Sequence, residues 1–336
     1  MTRLCMSVVV AAFTVLAACA PVRAESPPVL GVASVATLTD RTTQGYDTEG
    51  DAIRRVGATS IRIVMNWNEI EPVRGVFDWG RIDAAVTSAR SHGLSILALL
   101  SGPAPAWENF AGAQQSAAPP ADPREFGEFA GAAARRYAAN VSHWEIWNEP
   151  NLPQFWSNPS PRRYVETLRS AHGAITSVQR GATVVAGGLS TAPGGVGVLD
   201  FVRGMYDAGG GDSFTALGLH PYSFPYPLTA DPQRRASVIG DLHALMRREG
   251  DGGRTIWITE WGQPTGSSAI GVSEDRQAST IVDGLRYLRS QAGVGPVFLY
   301  TSRDLSPNRA DGEFNFGLYR YDWSPKPVVA RLASVS

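Results

Sequence analysis

Two glutamates stand at matching places in this chain. Glu149 lies near the end of WEIWNEPN (144–151), and Glu260 near the end of TIWITEWG (255–262). Each follows a short apolar stretch rich in tryptophan and isoleucine, the composition of a buried strand. A lone carboxyl at a strand end is most often a surface acid or the anion at a helix N-terminus. Two carboxyls facing one site offer different chemistry. One can protonate a leaving oxygen while the other attacks or stabilises an anomeric carbon, which is what cleavage of a glycosidic bond requires. Whether the two meet depends on the elements that carry them.

Apolar β-rich runs recur at roughly regular intervals: 29–38, 60–67, 94–101, 141–148, 183–190, 214–222, 255–262 and 296–302. Helical patterns lie between them. The stretch 81–93 ends on a glycine, 123–139 is alanine-rich, and 160–178 opens with Ser160 as N-cap and Pro161 at the first helical position. The stretch 273–290 places Ala278, Ile281, Leu285 and Leu288 on one face. Eight apolar strands alternating with helices predict a parallel sheet covered by helices, and eight such units close into a (β/α)₈ TIM barrel. A doubly wound open sheet is the alternative. No glycine-rich fingerprint follows the first strand, so a dinucleotide site has no support. In the barrel, Glu149 follows strand four and Glu260 strand seven, so the two should face each other across the C-terminal mouth. No linker splits the chain. The Pro/Ala-rich stretch 112–123, with 190–197 and 223–232, reads as long loops at that mouth.

The chain has 336 residues, 43% hydrophobic and 18% charged, with a formal net charge of −1. That suits one barrel of ~250 residues with insertions, and gives no reason to expect a nucleic-acid partner. Both cysteines, Cys5 and Cys19, fall in the first 24 residues. Arg3, the run VVVAAFTVLAA and the small residues after it read as an export leader. Two processing sites compete. LAAC ending at Cys19 is similar to a bacterial lipoprotein box, which would leave Cys19 lipidated and the protein membrane-attached. VRA at 22–24 would release it. The expected domains are therefore a leader over 1–24 and a barrel over 25–336, exported and either secreted or lipid-anchored at the cell envelope. The five histidines (His92, His143, His172, His220 and His243) are scattered without ligand spacing, so neither a metal nor a cofactor is expected. A serine nucleophile is not supported either, because GLSTAP (188–193) lacks the G-x-S-x-G elbow. A monomer is expected.

WEIWNEPN and ITEWG resemble the acid/base and nucleophile signatures of clan A glycoside hydrolases, which are retaining enzymes on (β/α)₈ barrels. Further matches cover most of the chain: 74–100, SIRIVMNW (60–67), LHPYSFPYP (219–227) and the tail 317–332. Within the clan the sequence looks most like family 39 and its polysaccharide-degrading bacterial relatives, then family 5. The resemblance implies that Glu149 is the general acid/base and Glu260 the nucleophile. It implies that Arg62 and Tyr222 support Glu260, that Asn148 donates to the sugar 2-hydroxyl, and that His220 orients Glu149 or the substrate. One departure is Tyr300, which stands where many clan members place a tryptophan under the sugar. For a retaining enzyme the carboxyls should lie ~5–5.5 Å apart.

Aromatic rings supply platforms for sugar faces. Trp67, Trp107, Trp156, Tyr226 and Trp261 are the candidates at strand ends and loops. Trp144, Trp147 and Trp257 lie inside strands and read as core, and Glu145 as a buried, paired acid. A non-catalytic carbohydrate-binding barrel and an envelope-glycan transglycosylase are the alternative functions.

Overall fold

The computed structural model describes residues 29–39, 42–108, 115–232, 234–235 and 237–334. The expected leader, with Cys5 and Cys19, lies outside the described residues, as does part of the loop at 109–114.

Eight parallel strands form a closed barrel in the order β1-β2-β3-β4-β5-β6-β7-β8. They are β1 (Leu30–Ala33), β2 (Ser60–Asn66), β3 (Ser95–Ser101), β4 (His143–Asn148), β5 (Thr183–Ser190), β6 (Ala216–His220), β7 (Thr255–Trp261) and β8 (Val294–Leu299). The helices are α1 (Ala36–Thr39), α2 (Thr43–Arg55), α3 (Trp67–Ile70), α4 (Gly80–Ser91), α5 (Pro123–Tyr137), α6 (Pro161–Val178), α7 (Val198–Asp207), α8 (Val238–Arg248), α9 (Glu274–Ser290) and α10 (Pro327–Ala333). The closed barrel, rather than the open sheet, is the observed solution. Among the described helices none is long and apolar enough to cross a membrane.

Local chemistry explains the helix starts. Ser160, Ser273, Asp122 and Thr42 each accept a backbone N–H of the first turn. Pro123 and Pro161 open α5 and α6, where a missing N–H costs nothing. Helices α2, α7, α8 and α10 are additional to the four helical patterns read from the sequence; in α7 Val198, Phe201, Val202 and Met205 form the buried face. In α2 the buried face includes Gly45, Gly50, Ala52 and Glu49, which carry little hydrophobic signal.

Most of the core lies between the strands and the helices. A second apolar cluster joins Leu97, Val185, Ala216, Trp257 and Phe298, one residue from each of five strands. Inward-pointing side chains of this kind fill a small barrel rather than leaving a pore.

The seam between β1 and β8 depends on a buried carboxyl. β1 ends at Ala33 instead of running to residue 38, because Glu49 of α2 draws the chain out of the ladder. Its oxygens accept Ser34 Oγ at 2.5 Å, the N–H of Val35 at 2.7 Å, the N–H of Ala36 at 3.2 Å, and Ser302 Oγ at 2.5 Å beyond β8. One side chain thus ties the first strand, the last strand and α2 together. Glu49→Ala leaves four buried donors without an acceptor, so unfolding in urea is expected to show a loss on the order of 3–5 kcal/mol. Glu49→Gln should lose less. A loss below about 1 kcal/mol for Glu49→Ala would mean that the seam holds without this carboxyl.

Candidate active site

The site is built outward from Arg62 on β2. Its side chain is buried inside the barrel and its nitrogens bind three partners on β4 and β7. Nε donates to Glu145 Oε2 at 2.6 Å, Nη1 to Glu260 Oε1 at 2.5 Å and Nη2 to Asn148 Oδ1 at 3.0 Å. A guanidinium only donates, so the bound end of Asn148 is its oxygen, and its amide nitrogen remains to donate elsewhere. Burial works against the Arg62 charge, but Glu145 and Glu260 more than offset it and raise its pKa above the ordinary arginine value.

Glu260 is held at both oxygens. Besides Arg62 it accepts the Tyr222 hydroxyl at Oε2, at 3.0 Å, with His220 Nδ1 3.7 Å from the same oxygen. Burial alone would push its carboxyl up. His220, Arg62 and the hydrogen bonds from Tyr222 and Arg62 outweigh burial and hold Glu260 below the usual carboxylate range. Glu149 has a different environment. His220 Nδ1 lies 2.8 Å from its Oε1, and the other ring nitrogen of His220 meets Thr259 Oγ1 at 3.0 Å. Burial opposes a charge on His220, yet the two glutamates together raise its pKa above the ordinary histidine value. Glu149, His220 and Glu260 each bring one donor atom within 4.8 Å of the others. The carboxyls therefore share one site, as their placement on β4 and β7 anticipates. Both nitrogens of His220 and both oxygens of Glu260 already have partners, which suits proton traffic better than a bound cation.

The backbone is bent to make this approach. Trp147 and Glu149 adopt left-handed φ values of 69° and 42°, uncommon for such residues and characteristic of functional sites. The register shifts between Ile258 and Trp261 and between Ala186 and Leu189, so strict in-out alternation fails beside the site. Gly188 on β5 leaves room for the histidine. A Cβ there would sit 2.0 Å from His220 Nε2.

Several aromatic expectations require correction. Trp67 does not end the strand at the mouth; it begins α3 and turns into the barrel–helix layer, wholly buried against Trp107, Phe126 and Phe129, with its indole N–H on Glu71 Oε2 at 2.7 Å. Trp261 is 1% exposed and points outward onto α9, where Gly284 leaves space for its ring. Trp156 is buried against Trp147 and Tyr164. None of these three offers a face to a sugar. Trp107 is half-buried, its N–H on the Glu71 carbonyl and the Arg74 guanidinium over its ring. Tyr226 is 45% exposed. Tyr300, just after β8, packs edge-on against Tyr222 and Phe316 around Glu260. Trp144 and Trp147 are buried, and Glu145 pairs with Arg62.

Thr259, Phe316 and Glu313 join the site without having been picked out from the sequence. Thr259 shares the inward face of β7 with Trp257, but a lone threonine in a strand carries no mark of a site. Glu313 and Phe316 sit in a loop whose approach to Tyr300 depends on contacts with the loop after β7.

No family model matches the chain, and no curated protein matches its sequence. Solved structures do. A family 39 glycoside hydrolase from the gut symbiont Bacteroides cellulosilyticus WH2 matches over 92% of this chain and 63% of its own, at 20% identity and a TM-score of 0.69. A monomeric β-xylosidase from Caulobacter crescentus CB15 matches over 92% of this chain and 69% of its own, at 18% identity and a TM-score of 0.70. The exo-β-1,4-mannosidase Op5Man5 from Opitutaceae bacterium strain TAV5 matches over 91% of this chain and 58% of its own, at 17% identity and a TM-score of 0.66. The chain thus spans less than two thirds of the first and third of these proteins. At such identities the shared property is the barrel.

Gly188→Ala should push His220 off Glu149 and Glu260 while the barrel stays folded. A histidine raised by those acids keeps its proton above the ordinary value and releases it as pH rises. The variant's imidazole, followed by NMR, should therefore titrate at lower pH than the wild type's. An unchanged midpoint would mean that the ring has not been displaced.

Proposed function

We propose that the protein is a retaining O-glycoside hydrolase that acts on a polysaccharide or oligosaccharide by double displacement. The observation that carries this reading is the pairing of Glu149 and Glu260 in one site with different sets of partners. Glu260, bound by Arg62 and Tyr222 and held below the usual carboxylate range, is suited to attack as an ionised nucleophile. Glu149, linked to His220, is suited to give a proton to the leaving oxygen and later take one from water. The free amide nitrogen of Asn148 is suited to donate to a sugar hydroxyl beside the anomeric carbon. Structural likeness to a xylosidase and a mannosidase on the same barrel supports the reading.

In the first half-reaction, the Glu260 carboxylate forms a bond to the anomeric carbon as the glycosidic C–O bond breaks. The electron pair of that bond leaves with the oxygen, which takes the Glu149 proton. In the second half, Glu149 removes a proton from water, whose oxygen displaces Glu260 from the anomeric carbon. Two inversions give net retention. Export to the cell envelope, either free or through a lipidated Cys19, is proposed from the leader sequence alone.

Purified protein tested on aryl glycosides and a panel of glycans should hydrolyse at least one of them, and Glu260→Ala should not. Glu149→Ala should lose ~10²–10⁴-fold on natural leaving groups and much less on activated aryl glycosides. Equal losses on both would remove Glu149 from the acid role. The pH profile gives a further check. A nucleophile whose pKa is depressed stays ionised down to pH values below the ordinary carboxylate range, and activity falls only as pH drops through its folded value. Tyr222→Phe removes one of the groups that depress it, so the acidic limb should move to higher pH. A limb that stays in place would detach Tyr222 from the nucleophile.

A further inference from the structure

The mouth carries a third carboxyl that double displacement does not use. Glu313 stands in the short 3₁₀ turn Gly312–Asn315 of the loop after β8. The Tyr300 hydroxyl donates to its Oε1 at 3.4 Å. Tyr300 in turn meets Tyr222 edge-on, with ring centroids 6.4 Å apart, and Tyr222 holds Glu260. A continuous line of contacts therefore runs from the nucleophile out to Glu313.

The turn that presents Glu313 is firmly built. Asp311 Oδ1 accepts the Glu313 N–H at 3.0 Å, and Asn315 Nδ2 donates to the carbonyls of Asn308 and Asp311, each at 2.7 Å. Beneath it Lys326, the chain's one lysine, is buried. It donates to Asp304 Oδ1 at 2.8 Å, Thr265 Oγ1 at 3.0 Å and the Asn315 carbonyl at 3.3 Å. These bonds fix the loops after β7 and β8 to each other, so Glu313 is held in place rather than trailing in solvent.

The largest charge effects on Glu313 come from groups of its own sign. Partial burial, then Glu260, with smaller contributions from Glu149 and Asp311, push its carboxyl up to about 7 against the weaker opposing bond from Tyr300. The loop's own cation, Arg309, points instead to Glu274 at 3.4 Å. Beside Glu313 lies an open pocket of about 450 Å³, whose lining includes Ser268, Ile270, Asn308 and Asp311. The Ser268 Oγ there is buried and has no hydrogen-bond partner among the described residues. Phe314, next in the chain, exposes 37% of its surface. An open pocket large enough for a pyranose, an exposed ring and a carboxyl with no paired cation among the described residues together describe a sugar-binding surface with an acidic anchor.

We propose that this pocket is a sugar subsite adjoining the reaction centre, with Glu313 as the anchor for a protonated amine, so that the preferred glycan carries free amino groups. The proposal rests on the glycosidase reading and narrows its substrate class. An ammonium would neutralise a carboxylate that Glu149 and Glu260 disfavour, whereas a uronate would add another negative charge. An N-acetyl group would leave Glu313 without its charged partner. Losing such a partner is more selective than losing apolar contact.

Binding calorimetry on the non-hydrolysing Glu149→Gln variant tests the proposal near neutral pH. The probes are glucosamine and galactosamine oligomers, each paired with its fully N-acetylated form. In at least one series the free-amine form should bind about tenfold or more tightly. Adding Glu313→Gln should abolish that preference and leave affinity for the N-acetylated form within about twofold, which shows that the pocket is still formed. Equal affinities within each pair, absence of binding, or a preference that survives Glu313→Gln each overturns the proposal. Aryl-glycoside hydrolysis by the wild type is scored separately. Turnover without amine preference removes only this proposal, and amine-selective binding by a protein that hydrolyses nothing removes only the glycosidase reading.

Discussion

Arg62 places a permanent positive charge inside the barrel, 1% exposed. An unpaired ion there would be unfavourable on the order of several kcal/mol. The fold meets that cost with Glu145 and Asn148 from β4 and Glu260 from β7. Because the guanidinium is planar and donates in fixed directions, it also sets the positions of these groups relative to one another. Glu260 cannot move far without leaving a buried charge uncompensated, and Asn148 cannot turn its amide without facing donor to donor. The same ion pair that makes the barrel interior tolerable therefore orients two groups at the mouth and keeps one of them ionised.

His220 completes the arrangement from the other side. It touches Glu149 and approaches Glu260, so the protonation states of the three are coupled. Its position in turn depends on the absence of a side chain at Gly188 and on the hydroxyl of Thr259. The left-handed backbone at Trp147 and Glu149 is stabilised by the packing around it. Trp147 is locked among Phe126 and Trp156, and its indole N–H is bonded to the Phe155 carbonyl at 2.8 Å. The tryptophans that crowd the sequence around Glu149 thus act through the backbone. They hold a strained strand end in shape rather than presenting faces to a ligand.

The aromatic assignments show where reading from sequence alone goes astray. Trp67 directly follows β2, and Trp261 ends β7 one residue after Glu260. In a strand a shift of one position reverses the face that a side chain occupies. Trp67 begins a helical turn and Trp261 follows a shift in register, so each points into the layer of helices. Glu313 was hidden for the opposite reason. It is near Tyr300 in space and thirteen residues away in sequence, and only the packing of the loops after β7 and β8 on Lys326 brings the two together.

The sequence by itself determined the architecture and the main catalytic candidates. Eight apolar runs alternating with helices leave few ways to bury both faces of a parallel sheet, and strand ends in a barrel converge on one mouth. The pairing of Glu149 with Glu260 therefore follows from their places in the sequence. Tertiary structure alone decided the rest: which tryptophans face the core, how Glu49 closes the seam, and how Gly188 admits His220. It also decided that a third carboxyl stands at the rim. These features depend on register shifts, on left-handed residues and on contacts between distant loops. Local periodicity carries no record of them, because each is fixed by what the chain meets across the barrel and not by its neighbours in sequence.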